Sequence, residues 1–327
     1  MINDFIKIII CIFGIIVTGA TQAILIPILT MYFDSLFYIL FNTGVQLIII
    51  FGTLFFFLNG RKFSLPPYKR FVFQSGLFNA FMGICQVYSA NPERTPPVLQ
   101  SILAGLAIVP SIILTKYFLE KKVLYNFRFV VPSMILLIAS LVIPIAYIGN
   151  DWHWESILWT LLYTSGIVFR GTFNIMQEKY LTESADPTLN NKVMLLFYSR
   201  SIQFVFIVLS FPLEYVIGYE ANPFTEFLHS CEQFFTDYKG FILLEVFIIA
   251  YLLIYGFSVY LNSISTNYNM ISTAAINPSV AVFFTVFKSL NPGMHFPLGI
   301  VISSLICSVM SVILWIFGEK KTTYEKL

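Results

Sequence analysis

Ten times along this chain a run of roughly 20 mostly apolar residues separates one cluster of charges or turn formers from the next, and a lipid hydrocarbon layer about 30 Å thick needs a helix of that length to cross it. The runs cover 5–32, 35–58, 71–91, 97–119, 126–148, 156–177, 191–216, 240–262, 268–288 and 297–317. They are long and continuously apolar, whereas barrel strands alternate over about ten residues, so the expected fold is an all-α polytopic membrane bundle. Water-soluble cores are excluded by scarcity of charge. Of the 327 residues 57% are hydrophobic and 11% charged, against roughly 25% charged in soluble domains.

The first run ends in small residues, Gly19-Ala20-Thr21-Gln22-Ala23, where a signal peptide could be cut, but its apolar character continues to Tyr32 and it reads as a retained helix. Lysine and arginine collect on the cytoplasmic side of a membrane. With the N-terminus inside, that side holds Lys7, Arg61, Lys62, Lys69, Arg70, Lys116, Lys121, Lys122, Arg128, Lys179, Lys192, Lys320, Lys321 and Lys326, fourteen residues, against Arg94, Lys239 and Lys288 outside. Both termini are therefore expected in the cytoplasm. The net charge of +2 is sidedness and gives no support for nucleic-acid binding. Cys231 is the one cysteine of four expected in an outer loop, so no disulfide framework can form there.

Short matches divide the chain in two. "GIIVTG" at 14–19 reappears as "GIVFRG" at 166–171, an offset of 152 that sets Gln22 opposite Asn174. "LAIVPSIIL" at 106–114 and "AAINPSVAV" at 274–282 share a Pro-Ser pair 168 residues apart. Span 1 thus pairs with span 6 and span 4 with span 9. The expectation is two five-helix repeats, 1–152 and 153–327, the second carrying a longer outer loop at 217–239. Five is odd, so the second copy enters the membrane from the opposite side. Inverted repeats of this kind recur in secondary transporters, with the binding site near the midplane. Pro110 and Pro278 become symmetry-related kinks, read either as packing or as hinges.

The stretches "RTPPVLQSILAGLAIVPS" (94–111) and "ISTAAINPSVAVFFTVF" (271–287), with the ten-span layout, resemble the chloroquine-resistance-transporter-like family of the drug/metabolite transporter superfamily. The resemblance implies a helical carrier in an acidic vacuolar or plastid-type membrane, moving small peptides, glutathione-related thiols, amino acids or amphipathic cations, with proton coupling in some members. It also implies a central cavity lined by spans 1, 3, 4, 6, 8 and 9. One departure is plain: parasite members staple the loop between spans 7 and 8 with paired cysteines, and here Cys231 stands alone.

Polar groups inside a bilayer cost free energy unless paired or hydrated, which makes them markers of a cavity or a helix contact. Arg170 falls in the inner half of span 6 and Arg200 near the middle of span 7; a central arginine costs roughly 2.5–3.5 kcal/mol on insertion scales. Their guanidinium forks match a carboxylate or phosphate of a substrate. The structural alternative is snorkelling or pairing with an acid. Glu245, about six residues into span 8, is placed to take a proton from an acidic compartment and release it inside; its alternative is a hydrated edge residue or an arginine partner. Gln22, Asn79, Gln86, Gln100, Asn174, Gln203, Thr273 and Asn277 are expected to line the cavity, as are Asn42 and Gln46, although any one of them could serve only a helix-helix hydrogen bond. Asn79 and Gln86 are two turns apart and share a face.

His153, His229 and His295 all fall outside, where they are either solvated or sensors of an acidic lumen. Trp152 and Trp154 read as an interfacial belt. There is no phosphate-cradling glycine loop, no metal-ligand spacing and no nucleophile motif, and the tails are too short for a nucleotide-binding domain. Neither an enzyme nor a cofactor is expected. The reading is a secondary carrier with a small-molecule substrate, lipid and protons as its partners; the alternatives are a nucleotide-sugar or sugar-phosphate exchanger and a receptor or scaffold that transports nothing.

Overall fold

The computed structural model describes residues 2–104, 108–119, 127–142, 154–184, 188–217, 222–287 and 297–318. Asp151, Trp152, His153, Glu220, Lys288 and His295 lie outside this set, as do Lys121, Lys122, Lys320, Lys321 and Lys326. Among the described residues all regular structure is helical: α1 (Ile2–Tyr32), α2 (Leu36–Leu58), α3 (Lys69–Ser89), α4 (Pro97–Ala104), α5 (Ile108–Phe118), α6 (Phe127–Leu137) with a π turn at Ile138–Val142, α7 (Trp154–Glu183), α8 (Leu189–Leu209), α9 (Phe211–Ile217), α10 (Pro223–Thr236), α11 (Tyr238–Asn262), α12 (Thr266–Ala274), α13 (Asn277–Val286) and α14 (Pro297–Gly318).

Among the described residues six stretches are long and apolar enough to cross a membrane, Phe5–Tyr32, Leu36–Leu58, Leu99–Phe118, Leu189–Leu209, Tyr238–Asn262 and Tyr268–Val286, and they make the chain an integral membrane protein. Shorter apolar stretches occur at Val130–Ser140 and Val301–Met310. Helices α3 and α7, of 21 and 30 residues, have the length but not the apolarity. The polar residues that lower it include Asn79 and Gln86 on α3 and Arg170, Asn174, Gln177 and Glu178 on α7, which lie against other helices or line the space between them.

Starts and stops follow side-chain chemistry. Ser35 caps α2 by accepting the Tyr38 amide at 3.1 Å, and Thr188 caps α8 through the Asn191 amide. Pro212 follows the end of α8 at Ser210, which separates α9 from it. Likewise Pro278 divides span 9 into α12 and α13, where it occupies the first turn. A proline at 278 offers no amide to the carbonyl of Ala274 four residues earlier. That carbonyl meets a donor from another helix, the Ser308 hydroxyl of α14 at 2.8 Å, whose one proton it shares with the Ser304 carbonyl at 3.0 Å. Pro110 sits in the first turn of α5, just past residues 105–107, which are not described.

The stretch 217–239, read from sequence as a loop, contains the helix α10. Asn222 caps it, Pro223 opens it, and Phe227 and Phe234 turn its apolar side into the core with Tyr38 and Phe247. Ser230 accepts the Ser35 amide at 3.0 Å, and His229 pairs with Asp34, so α10 is tied to the turn between α1 and α2. Cys231 packs at the edge of the same cluster, where burial pushes its thiol up and keeps it protonated. The buried Glu214 carboxylate in α9 accepts the Phe37 amide at the start of α2, an anion at a helix N-terminus.

Packing pairs α3 along α7, α1 along α11, α2 along α8 and α6 along α14; α13 meets α4, and α12 meets both α1 and α5. Without a hydrophobic force between helices in lipid, close approach depends on small residues. At Gly166 a Cβ would come 2.8 Å from Cγ of Gln86 and 3.3 Å from the Met82 carbonyl oxygen, and at Gly19 it would run into the Ile276 side chain. These two contacts set α7 against α3 and α1 against the start of α13.

Candidate functional site: a polar cavity between the helices

A cavity of about 910 Å³, counting space open to solvent, is bounded by α1, α3, α4, α7, α11, α12 and α13. Gln22, Gln86, Gln100, Arg170, Asn174, Thr273 and Asn277 all line it, with Tyr163, Phe173, Tyr251 and Tyr255 as an aromatic side and Ser101 and Ser258 as hydroxyls. Helix α7 runs to Glu183 instead of ending near 177, so Arg170 lies close to its midpoint, just on the Glu183 side of it. The helix continues past the Glu178 and Lys179 charges because both are satisfied: Glu178 accepts the Thr266 amide at 2.6 Å and Lys179 donates to the Phe118 carbonyl at 2.7 Å.

The lining residues differ in how much of their hydrogen-bonding capacity is committed. Gln100 gives its amide hydrogens to the carbonyls of Ala90 and Thr95, both at 2.7 Å, which fixes the turn between α3 and α4. Thr273 bonds back to the Asn269 carbonyl. Asn174 donates to the Arg170 carbonyl at 2.9 Å and accepts from Asn262 and Asn269, each at 3.0 Å. By contrast, Nε2 of Gln22 and Nδ2 of Asn277 are buried with no hydrogen-bond partner among the described residues. Arg170 is part-buried on the cavity wall, within electrostatic range of the phenols of Tyr163, Tyr251 and Tyr255 and with no carboxylate partner among the described residues.

Three residues grouped with these from sequence stand behind the wall. Arg200 is 1% exposed; its guanidinium carbon lies 4.0 Å from the centre of the Tyr255 ring and 5.1 Å from that of Phe173, and Nη1 donates to Gln203 Oε1 at 2.7 Å. Nε and Nη2 of Arg200 have no hydrogen-bond partner among the described residues. Asn79 is bonded to the Tyr255 hydroxyl at 3.1 Å. Tyr255 therefore separates the cavity from Arg200 and Asn79, while Gln203 borders a smaller cavity of about 340 Å³ between α2, α3, α8 and α11. Glu245 borders neither. It accepts from Gln46 at 2.6 Å in a line that continues through Asn42 to Tyr38.

Sequence reasoning missed the amides that close one end of the cavity. Where α7 and α11 finish and α12 begins, Asn262 donates to Asn174 Oδ1 and to Gln177 Oε1 at 2.8 Å, Asn269 donates to Asn262 Oδ1 at 3.1 Å, and Ser258 donates to Asn269 Oδ1 at 3.2 Å. The signal lay in "NSISTNYN" (262–269), whose amides flank the break between α11 and α12. No protein-family model matches the chain, and no curated protein matches it either.

Proposed function

We propose that this chain is a secondary carrier that moves small organic solutes by alternating access around the cavity at the middle of the bundle. The observation that carries the reading is the cavity wall. Seven of the polar residues that sequence alone marked as costly in lipid line one cavity, contributed by helices on both sides of residue 152. Those helices are spans 1, 3, 4, 6, 8 and 9, the set that the resemblance to chloroquine-resistance-transporter-like carriers implies.

The arrangement proposed is ten membrane helices in two inverted halves, 1–152 and 153–327. Exchange of span 1 with 6 and span 3 with 8 maps the α1–α11 contact onto the α7–α3 contact, and maps α2–α8 and α6–α14 onto themselves, which is the pairing described above. With both termini cytoplasmic, the Asn174–Gln177–Asn262–Asn269 network lies on the cytoplasmic side, so the state described is closed to the cytoplasm. The break at Ala275–Ile276 before Pro278, backed by Ser308, is then a bend point for the helix that must repack when that side opens. Glu245 is the proposed proton carrier, and an acidic vacuolar or plastid-type membrane the proposed location.

The test is uptake by purified protein in liposomes across an imposed pH gradient, screened over glutathione, short peptides, amino acids and amphipathic cations. Saturable uptake of any of these supports the reading. Robust counterflow of labelled nucleotide sugars points instead to an exchanger, and absence of any uptake by folded protein to a receptor or scaffold.

A further inference from the structure

We infer that the cavity selects net-anionic solutes carrying a carboxylate or a phosphate and excludes lipophilic cations. This rests on the carrier reading for its biological use, but the site itself is a matter of binding chemistry.

Three observations carry it. First, among the described residues Arg170 is the one charged side chain lining the cavity, and no described aspartate or glutamate lines it. Second, Gln22 (8% exposed) and Asn277 (1% exposed) line the same space, and the buried amide nitrogen of each has no hydrogen-bond partner among the described residues. Third, Arg200, likewise without a carboxylate among the described residues, lies behind the Tyr255 ring and shares with Arg170 the electrostatic neighbourhood of Tyr251 and Tyr255. The charge at the cavity is therefore positive and uncompensated. In a low-dielectric surrounding such a field favours an anion and opposes a cation strongly.

Hydrogen-bonding capacity points the same way. An amide can turn its oxygen toward a ligand, but a guanidinium has five donors and no acceptor, which makes Arg170 the discriminating group. Its planar fork accepts two oxygens of a carboxylate or phosphate side by side. The remaining acceptors on the wall are neutral hydroxyls and amides, and the Asn174 oxygen is already occupied by two donors. The aromatic side, Tyr163, Phe173, Tyr251 and Tyr255, leaves room for an apolar or peptide-like body attached to the anionic group.

The experiment measures equilibrium binding to the full chain in lipid nanodiscs. The probes are glutathione against its diethyl ester, glucose 6-phosphate against glucose, and tetraphenylphosphonium. The expected result is that glutathione or glucose 6-phosphate binds at least roughly tenfold tighter than its uncharged or esterified counterpart, the worth of one charge-assisted hydrogen bond, and that tetraphenylphosphonium does not compete. Which of the two anions binds tells carboxylate from phosphate. Arg170→Gln is expected to abolish the discrimination, Arg170→Lys to keep its direction with weaker binding, and Asn277→Asp to admit the cation; the last two decide the matter if the first does not fold. Competitive binding of tetraphenylphosphonium to the unaltered protein, anion binding unchanged in Arg170→Gln, or no binding of either anion overturns the inference. Anion binding without uptake keeps the inference and defeats the carrier reading, whereas uptake of the cation alone does the reverse.

Discussion

Replacing Asn262 separates hydrogen bonding from packing at the closed end of the cavity. Its side chain makes three amide bonds, donating to Asn174 at 3.0 Å and Gln177 at 2.8 Å and accepting from Asn269 at 3.1 Å. At about 0.6 kcal/mol for an average side-chain bond in a membrane, Asn262→Leu should lose about 2 kcal/mol. The direction of the donors is fixed, because Asn174 turns its Nδ2 to the Arg170 carbonyl and meets Asn262 with Oδ1, which can only accept. Asn262→Asp keeps the shape but sets a carboxylate oxygen against the two oxygens of Asn174 and Gln177. It should therefore be the more damaging of the two, by a further 1–3 kcal/mol or about that, the cost of buried groups left unsatisfied. Reversible unfolding in mixed detergent micelles reads both variants. If leucine and aspartate cost the same, or if either falls within about 0.5 kcal/mol of the parent protein, the network is not a hydrogen-bonded closure and the assignment is wrong.

Gly166→Ala drives a Cβ to 2.8 Å from Gln86 and 3.3 Å from the Met82 carbonyl, and should destabilise the α3–α7 contact by about 1–3 kcal/mol, part of it recovered by adding Gln86→Ala; full tolerance in the same unfolding assay would mean the helices are further apart than described. Ser308→Ala leaves the Ala274 carbonyl without its donor and should cost about 1 kcal/mol, whereas in a Pro278→Ala background, where an amide is available again, the loss should shrink; strict additivity of the two changes contradicts the link. Glu245→Gln keeps an oxygen for Gln46 but cannot carry a proton, so uptake should lose its response to an imposed pH gradient while binding persists; an unchanged response removes Glu245 from coupling.

Much of the helical layout was legible because bilayer-length apolar runs leave few alternatives. Span 35–58 is α2 at Leu36–Leu58, and span 240–262 is α11 at Tyr238–Asn262. Boundaries failed where polar residues inside a helix are satisfied by another helix. Glu178 and Lys179 look like the end of span 6 in one dimension, yet α7 continues because their partners come from α12 and α5. Helix α10 was read as loop because it is too short and too charged to span, although Asn222, Pro223 and the Phe227/Phe234 spacing were visible. In the site, composition identified which amides were expensive, but not which way each pointed. Gln22 and Asn277 line the cavity and each keeps an unpartnered amide nitrogen, while Arg200 is shielded by the ring of Tyr255, a residue of another helix. Facing direction depends on helix rotation and on partners distant in sequence, which a periodic apolar run does not encode. The Asn262–Asn269 pair escaped notice for a related reason: amides beside a helix break are ordinary turn formers until α7 is laid across them.

The most direct test of the central claim, a cavity that opens alternately to the two sides of the membrane, is thiol accessibility at Gln86, a part-buried lining residue. Gln86→Cys is placed in a chain whose four native cysteines, Cys11, Cys85, Cys231 and Cys307, are replaced, and a membrane-impermeant thiol reagent is applied to sealed, oriented vesicles from each face in turn. The account predicts labelling from either face, slowed by bound solute. Labelling from one face only under every solute and pH condition would contradict it.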